Sequence, residues 1–146
     1  MRWGKEGKQV MREKDWEPLK SEWKASLEAV WRAVPKAYRN ERSMKRTLQC
    51  HLFGQLKAMG FQVVADYYPP RIADHPVDLL ALNDAEEIVY AVCFDSLVSL
   101  HAVKGLSSFD ARRKVIFTTG PLEKKVEESR FFLKPGIDHV HLKPFD

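Results

Sequence analysis

Two apolar runs separated by a polar turn constrain this chain more than any other feature. Pro76-Val77-Asp78 opens the first run, which continues to Leu82. Asn83 to Glu87 supply the turn, and Ile88-Val89-Tyr90-Ala91-Val92-Cys93-Phe94 form the second run. Apolar runs of this length around a polar turn predict a β-hairpin. Side chains alternate along a strand, so Ala91 and Cys93 share one face, and Asp95 lies on that face two residues further along. Asp78 heads the first strand.

The rest of the chain surrounds this hairpin with alternating helices and strands. Trp16, Leu19, Trp23, Leu27, Val30 and Val34 recur at threes and fours, which predicts an amphipathic helix over 15–34. Asp15 serves as its N-cap, Pro18 falls in its first turn, and Pro35 ends it. Residues 1–14 are polar and basic and read as a flexible arm. A second helix follows Tyr38 and Arg39, with Met44, Leu48, Leu52, Leu56 and Met59 as its core stripe and Gly60 as its stop. Strand spacing then appears over 61–68, closed by Pro69-Pro70, with a loop over 71–75 before the hairpin. Helix over 97–106, strand over 114–119, helix over 122–133 and a short strand over 140–142 complete the order α-α-β-β-β-α-β-α-β. A three-strand meander followed by β-α-β crossovers predicts one α/β domain over 15–146, with the last two strands parallel to a neighbour.

Composition narrows the setting. The chain has 146 residues, 30% of them charged, and no run approaches the roughly 18 apolar residues a spanning helix needs. The segment Met1 to Glu6 lacks the apolar stretch of a secretion signal, so a cytoplasmic protein without a membrane partner is expected. Cys50 and Cys93 have no metal-ligand spacing and read as two reduced, buried thiols. The charge is uneven: residues 1–60 hold 14 Lys/Arg against 7 Asp/Glu, whereas 61–146 hold 10 against 13. Arg39, Arg42 and Arg46 recur at three and four, with Lys45 adjacent, and form one helix face suited to DNA or RNA phosphates. Arg112-Arg113-Lys114 is a candidate extension of that face. The alternative for each cluster is an ordinary solvated surface.

From Glu41 to about residue 143 the layout resembles the PD-(D/E)XK superfamily, the restriction-endonuclease-like nucleases. The resemblance rests on Glu41 ahead of the Met44, Leu48 and Leu52 stripe, on Gly60-Phe61-Gln62-Val63-Val64, on Pro76-Val77-Asp78 and on Ile88 to Cys93. It implies an α-β-β-β-α-β core with a mixed central sheet flanked by helices, here with an extra N-terminal helix and a C-terminal α-β extension. In that family an acid heads the second strand, and an acid and a lysine lie two residues apart on the third. Those last two positions hold Ala91 and Cys93. Hydrolysis of a phosphodiester there needs Mg²⁺ held by carboxylates, and Asp78 is the one ligand left in place. Migrated replacements are Glu41 on the preceding helix, and His101 or Lys104 on the following one, with Lys104 the stand-in for the lysine.

Three functions follow from these residues. The first is a domain without catalytic activity or cofactor that keeps a nucleic-acid-binding or scaffolding role. The second is an active Mg²⁺-dependent nuclease using Asp78, Glu41 and Lys104. The third is a protein-interaction module, possible as a homodimer, built on the Trp-rich helix. Other chemistry finds less support. His139 and His141 share a strand face, but Asp138 between them points the other way and no third ligand is near. His51 and His75 form no pattern, and Glu86 and Glu87 belong to the hairpin turn, away from Asp78.

Overall fold

A computed structural model describes residues 13–71 and 75–145. The expected arm over 1–14 lies outside the described residues as far as Arg12, as do three residues of the 71–75 loop. Helix α1 spans Glu13–Ala33, α2 Glu41–Ala58, α3 Leu100–Ser107 and α4 Glu123–Ser129. Strands β1 (Gln62–Tyr67), β2 (Val77–Leu82), β3 (Ile88–Asp95), β4 (Arg113–Thr118) and β5 (Ile137–His141) form one sheet in that spatial order. The first three strands are an antiparallel meander, and β4 and β5 run parallel to their neighbours. The chain is thus α/β with a mixed five-stranded sheet. No helix among the described residues is long and apolar enough to cross a membrane.

Several boundaries depart from the sequence reading, each for a local reason. Helix α1 is already formed at Glu13, so Asp15 is not its cap, and Pro18 sits inside the helix. A 3₁₀ turn over Lys36–Tyr38 follows Pro35, and Asn40 caps α2 by accepting a hydrogen bond from the Ser43 backbone N–H at 2.9 Å. Arg39 therefore precedes α2 and does not share its face. The helix expected over 122–133 is shorter, because the chain passes into a 3₁₀ turn at Arg130–Phe132. The last strand starts earlier than expected, at Ile137.

Strand β3 lies at the centre of the sheet and is buried on both faces. Its Tyr90, Val92 and Phe94 face α1 and α2 and pack with Trp16, Trp23 and Leu48. The Tyr90 ring stacks on Trp16 at 5.6 Å and meets Trp23 and Phe61 edge-on at 5.1 and 5.5 Å. Contacts of this kind contribute about 0.5–1.5 kcal/mol each beyond the area they bury. Trp16 and Trp23 are each only 2% exposed, and the Trp16 indole N–H donates to Asp138. The tryptophans of α1 thus fasten it to the domain's own sheet. On the opposite face Ala91 and Cys93 join Leu80, Val103 and Leu106 beneath α3.

Candidate functional site

The β2–β3 ladder runs from Leu82 and Ile88 to Leu79 and Val92 and stops there. Beyond its end the strands part, and Asp78 takes over the pairing with its side chain. One carboxylate oxygen accepts the Phe94 backbone N–H at 2.7 Å. The other lies 3.8 Å from the Lys45 ammonium, beyond a hydrogen bond but within Coulomb reach. Asp78 is 4% exposed. Burial pushes its carboxyl up to about 6, against the opposing pull of Lys45 and the Phe94 N–H, and the nearby Asp66 and Asp95 add to the rise.

Asp66 lies across β1 from Asp78, between the Ala65–Leu79 and Tyr67–Val77 pairs. Its φ of +53° is a left-handed conformation that aspartate tolerates better than most residues. There it accepts hydrogen bonds from the Arg46 guanidinium and the Gln49 amide, both at 2.7 Å. Burial works against this carboxylate, but those two bonds outweigh it and hold Asp66 below the usual carboxylate range. The same Gln49 nitrogen donates to the Asp78 carbonyl at 2.8 Å, so one buried amide ties α2 to both β1 and β2.

Arg42, Lys45, Arg46 and Gln49 stand at i, i+3, i+4 and i+7, one face of α2. With Asp66, Tyr68, Pro76 and Asp78 they line an open cavity of about 350 Å³. Three cations meet two acids here, so the cavity keeps a net positive charge even with Asp78 ionised. Arg42 is exposed, and among the described residues nothing pairs with its guanidinium.

The other sequence candidates lie elsewhere. Glu41 lines a separate cavity with Asn40, Ser96, Thr119 and Gly120. Lys104 sits on the exposed side of α3, across the sheet from α2. Glu41 and Asp78 thus line different cavities, and a lysine that does reach Asp78 is Lys45. Arg39, expected on the basic face, lies off it: its guanidinium donates to the Val34 and Arg32 carbonyls and stacks on Phe145, so it fastens the end of α1. Arg112 pairs with Glu87, and Arg113 lies over Trp16, at the opposite end of the sheet from Asp78. Asp95 accepts from Ser96 N and Ser99 Oγ at 2.7 Å and meets His101 at 3.2 Å, which secures the start of α3. The His75 ring stacks on His101 at 3.7 Å.

Ala91 is fully buried and Cys93 is 3% exposed. Burial and the Asp78 charge push the Cys93 thiol well up, which removes it as a nucleophile. Cys50, expected to be buried, is exposed on α2. Mg²⁺ needs several hard oxygen ligands. Asp78 offers one carboxylate with one oxygen engaged by Phe94 and a lysine beside the other, a poor match for that ion. Among the described residues no cluster of three or more His, Cys, Asp or Glu is arranged to hold a metal. His139 and His141 both turn to the Thr118 hydroxyl, at 2.8 and 2.9 Å, on the edge strand. Burial, helped by Arg130 and His141, pushes His139 down to about 4.

Gln49 and Asp66 were missed by sequence reasoning. Gln49 extends the Arg42-Lys45-Arg46 spacing by one more turn and was legible as such. Asp66 joins the site only through a cross-strand register, which no local pattern announces. No protein-family profile, curated protein or solved structure matches this chain.

Proposed function

We propose that this chain is a restriction-endonuclease-like domain of the PD-(D/E)XK type that has lost phosphodiester cleavage and binds nucleic-acid phosphates through Arg42, Lys45 and Arg46. One observation carries this reading: the cations line an open cavity at Asp78, while Ala91 and Cys93 are sealed in the apolar layer under α3. The order of helices and strands, and the meander with Asp78 beside β3, support the family resemblance. An incoming phosphate oxygen would find the Arg42 guanidinium without a partner among the described residues and the Lys45 ammonium only loosely held. Both conditions favour anion binding, because little existing pairing must be broken.

The active-nuclease alternative would use Glu41 or Lys104 with Asp78; Glu41 lines another cavity and Lys104 is exposed on α3. The interaction-module alternative would use the tryptophan face of α1, where Trp16 and Trp23 are in the core and Trp31 is half-buried. The test is binding of a labelled oligonucleotide measured by fluorescence anisotropy across a salt series. Affinity should be modest, indifferent to sequence, and fall steeply with salt as counterions are released. No binding at low salt would overturn the proposal.

A further inference from the structure

We infer that the occupant of the Arg42–Lys45–Arg46 cavity is an unpaired nucleotide of a single strand, its base stacked on Tyr68 and its flanking phosphate on Arg42 and Lys45. This inference rests on the phosphate-binding reading and narrows it.

Tyr68 lines the same cavity as the three cations. It is 51% exposed, so the fold gains little from burying it. Among the described residues its ring has no aromatic partner, whereas the ring of its neighbour Tyr67 lies 5.9 Å from that of Phe109. Pro69 and Pro70 follow directly. A residue before proline is confined to extended backbone, so Tyr68 presents its ring from a restricted conformation and loses less entropy on binding. An aromatic face beside a cationic rim is the arrangement that holds single strands, because a base stacks on the ring while its phosphate meets the charge. In a duplex both faces of every internal base are already stacked, and only the phosphates could reach this cavity.

The test compares short oligothymidylate, short oligouridylate and a duplex of equal length by anisotropy, for wild type, Tyr68→Ala, Tyr68→Phe, Tyr67→Ala and Arg42→Ala. Single strands should bind more tightly than the duplex. Tyr68→Ala should weaken single-strand binding by about 5- to 160-fold, the range seen when an aromatic stacking platform is removed. Tyr68→Phe should retain it, since the ring is kept, and Tyr67→Ala should leave it unchanged. If Arg42→Ala weakens binding while Tyr68→Ala does not, or if duplex binds as tightly as single strand, this inference fails and the phosphate-binding reading stands. If no form of nucleic acid binds, the reading fails and takes the inference with it.

Discussion

The helix side and the strand side of this site have opposite characters. On the strand side Asp78, Ala91 and Cys93 are buried, and their neighbours are Leu80, Val103 and the Phe94 backbone. On the helix side Arg42, Lys45 and Arg46 are exposed, and among the described residues only Arg46 has a partner within hydrogen-bond distance. A nuclease draws its chemistry from the strands and part of its phosphate grip from the surroundings. In this chain the strand positions serve the packing of the sheet, while the helix positions remain open to a ligand. On the proposed reading cleavage can be lost and binding kept, because the two sets of residues answer to different physics: one to burial, the other to charge at the surface.

The sharpest way to break that contrast is to place an acid and a lysine on the strand side. Ala91→Glu with Cys93→Lys would place two charges in an apolar layer under α3. Burying charges without designed partners ranks among the most destabilising changes, so urea denaturation should show a loss of about 4 kcal/mol or more. Retained stability together with new cleavage activity would mean that the strand side is still a site.

The next effect concerns Asp78. Its folded carboxyl titrates near 6, above its unfolded value, so its contribution is fully present at low pH and is lost as pH rises through about 6. A difference of that size corresponds to roughly 2–3 kcal/mol. Asp78→Asn should remove this slope, so that wild type loses stability relative to the variant between pH 4 and pH 7. Parallel stability curves would show that Lys45 and the Phe94 N–H compensate Asp78 fully. His139 supplies a control of opposite sign. Its folded value lies near 4, so wild type should lose stability relative to His139→Gln as pH falls from about 6.5 toward 4.

Much of this arrangement was legible in the chain. The hairpin over Val77–Leu82 and Ile88–Asp95 announces itself because apolar runs and a polar turn are local signals. The absence of an acid at Ala91 and a lysine at Cys93 was equally legible. What the chain hid is non-local. Asp66 and Asp78 face one another only once β1 and β2 pair in register, and Lys45 approaches Asp78 only once α2 docks on the sheet. The misassignment of Arg39 has a different origin. Spacing at three and four continues across a helix start, so periodicity alone did not show that Asn40 is the cap.

Arg39 and Arg42 therefore separate structure from binding with smaller effects. Arg39→Ala removes hydrogen bonds to two backbone carbonyls and should cost about 1 kcal/mol in thermal or urea unfolding, without altering oligonucleotide affinity. Arg42→Ala should change stability by less than about 0.5 kcal/mol yet weaken binding to every sequence alike. In the salt series each lost phosphate contact should flatten the logarithmic slope by about 0.7 on a single strand. The reverse pattern, with Arg39 needed for binding and Arg42 dispensable, would move the interface toward Phe145 and the end of α1.

The central claim is that this chain grips a phosphodiester backbone and leaves it intact. A single experiment tests both halves: an end-labelled single strand is incubated with the protein at low salt and saturating Mn²⁺, then resolved on native and denaturing gels. The expected result is a retarded complex whose strand remains full-length, with retardation reduced in Arg42→Ala/Lys45→Ala. Shortened products that disappear in Asp78→Ala would contradict the claim.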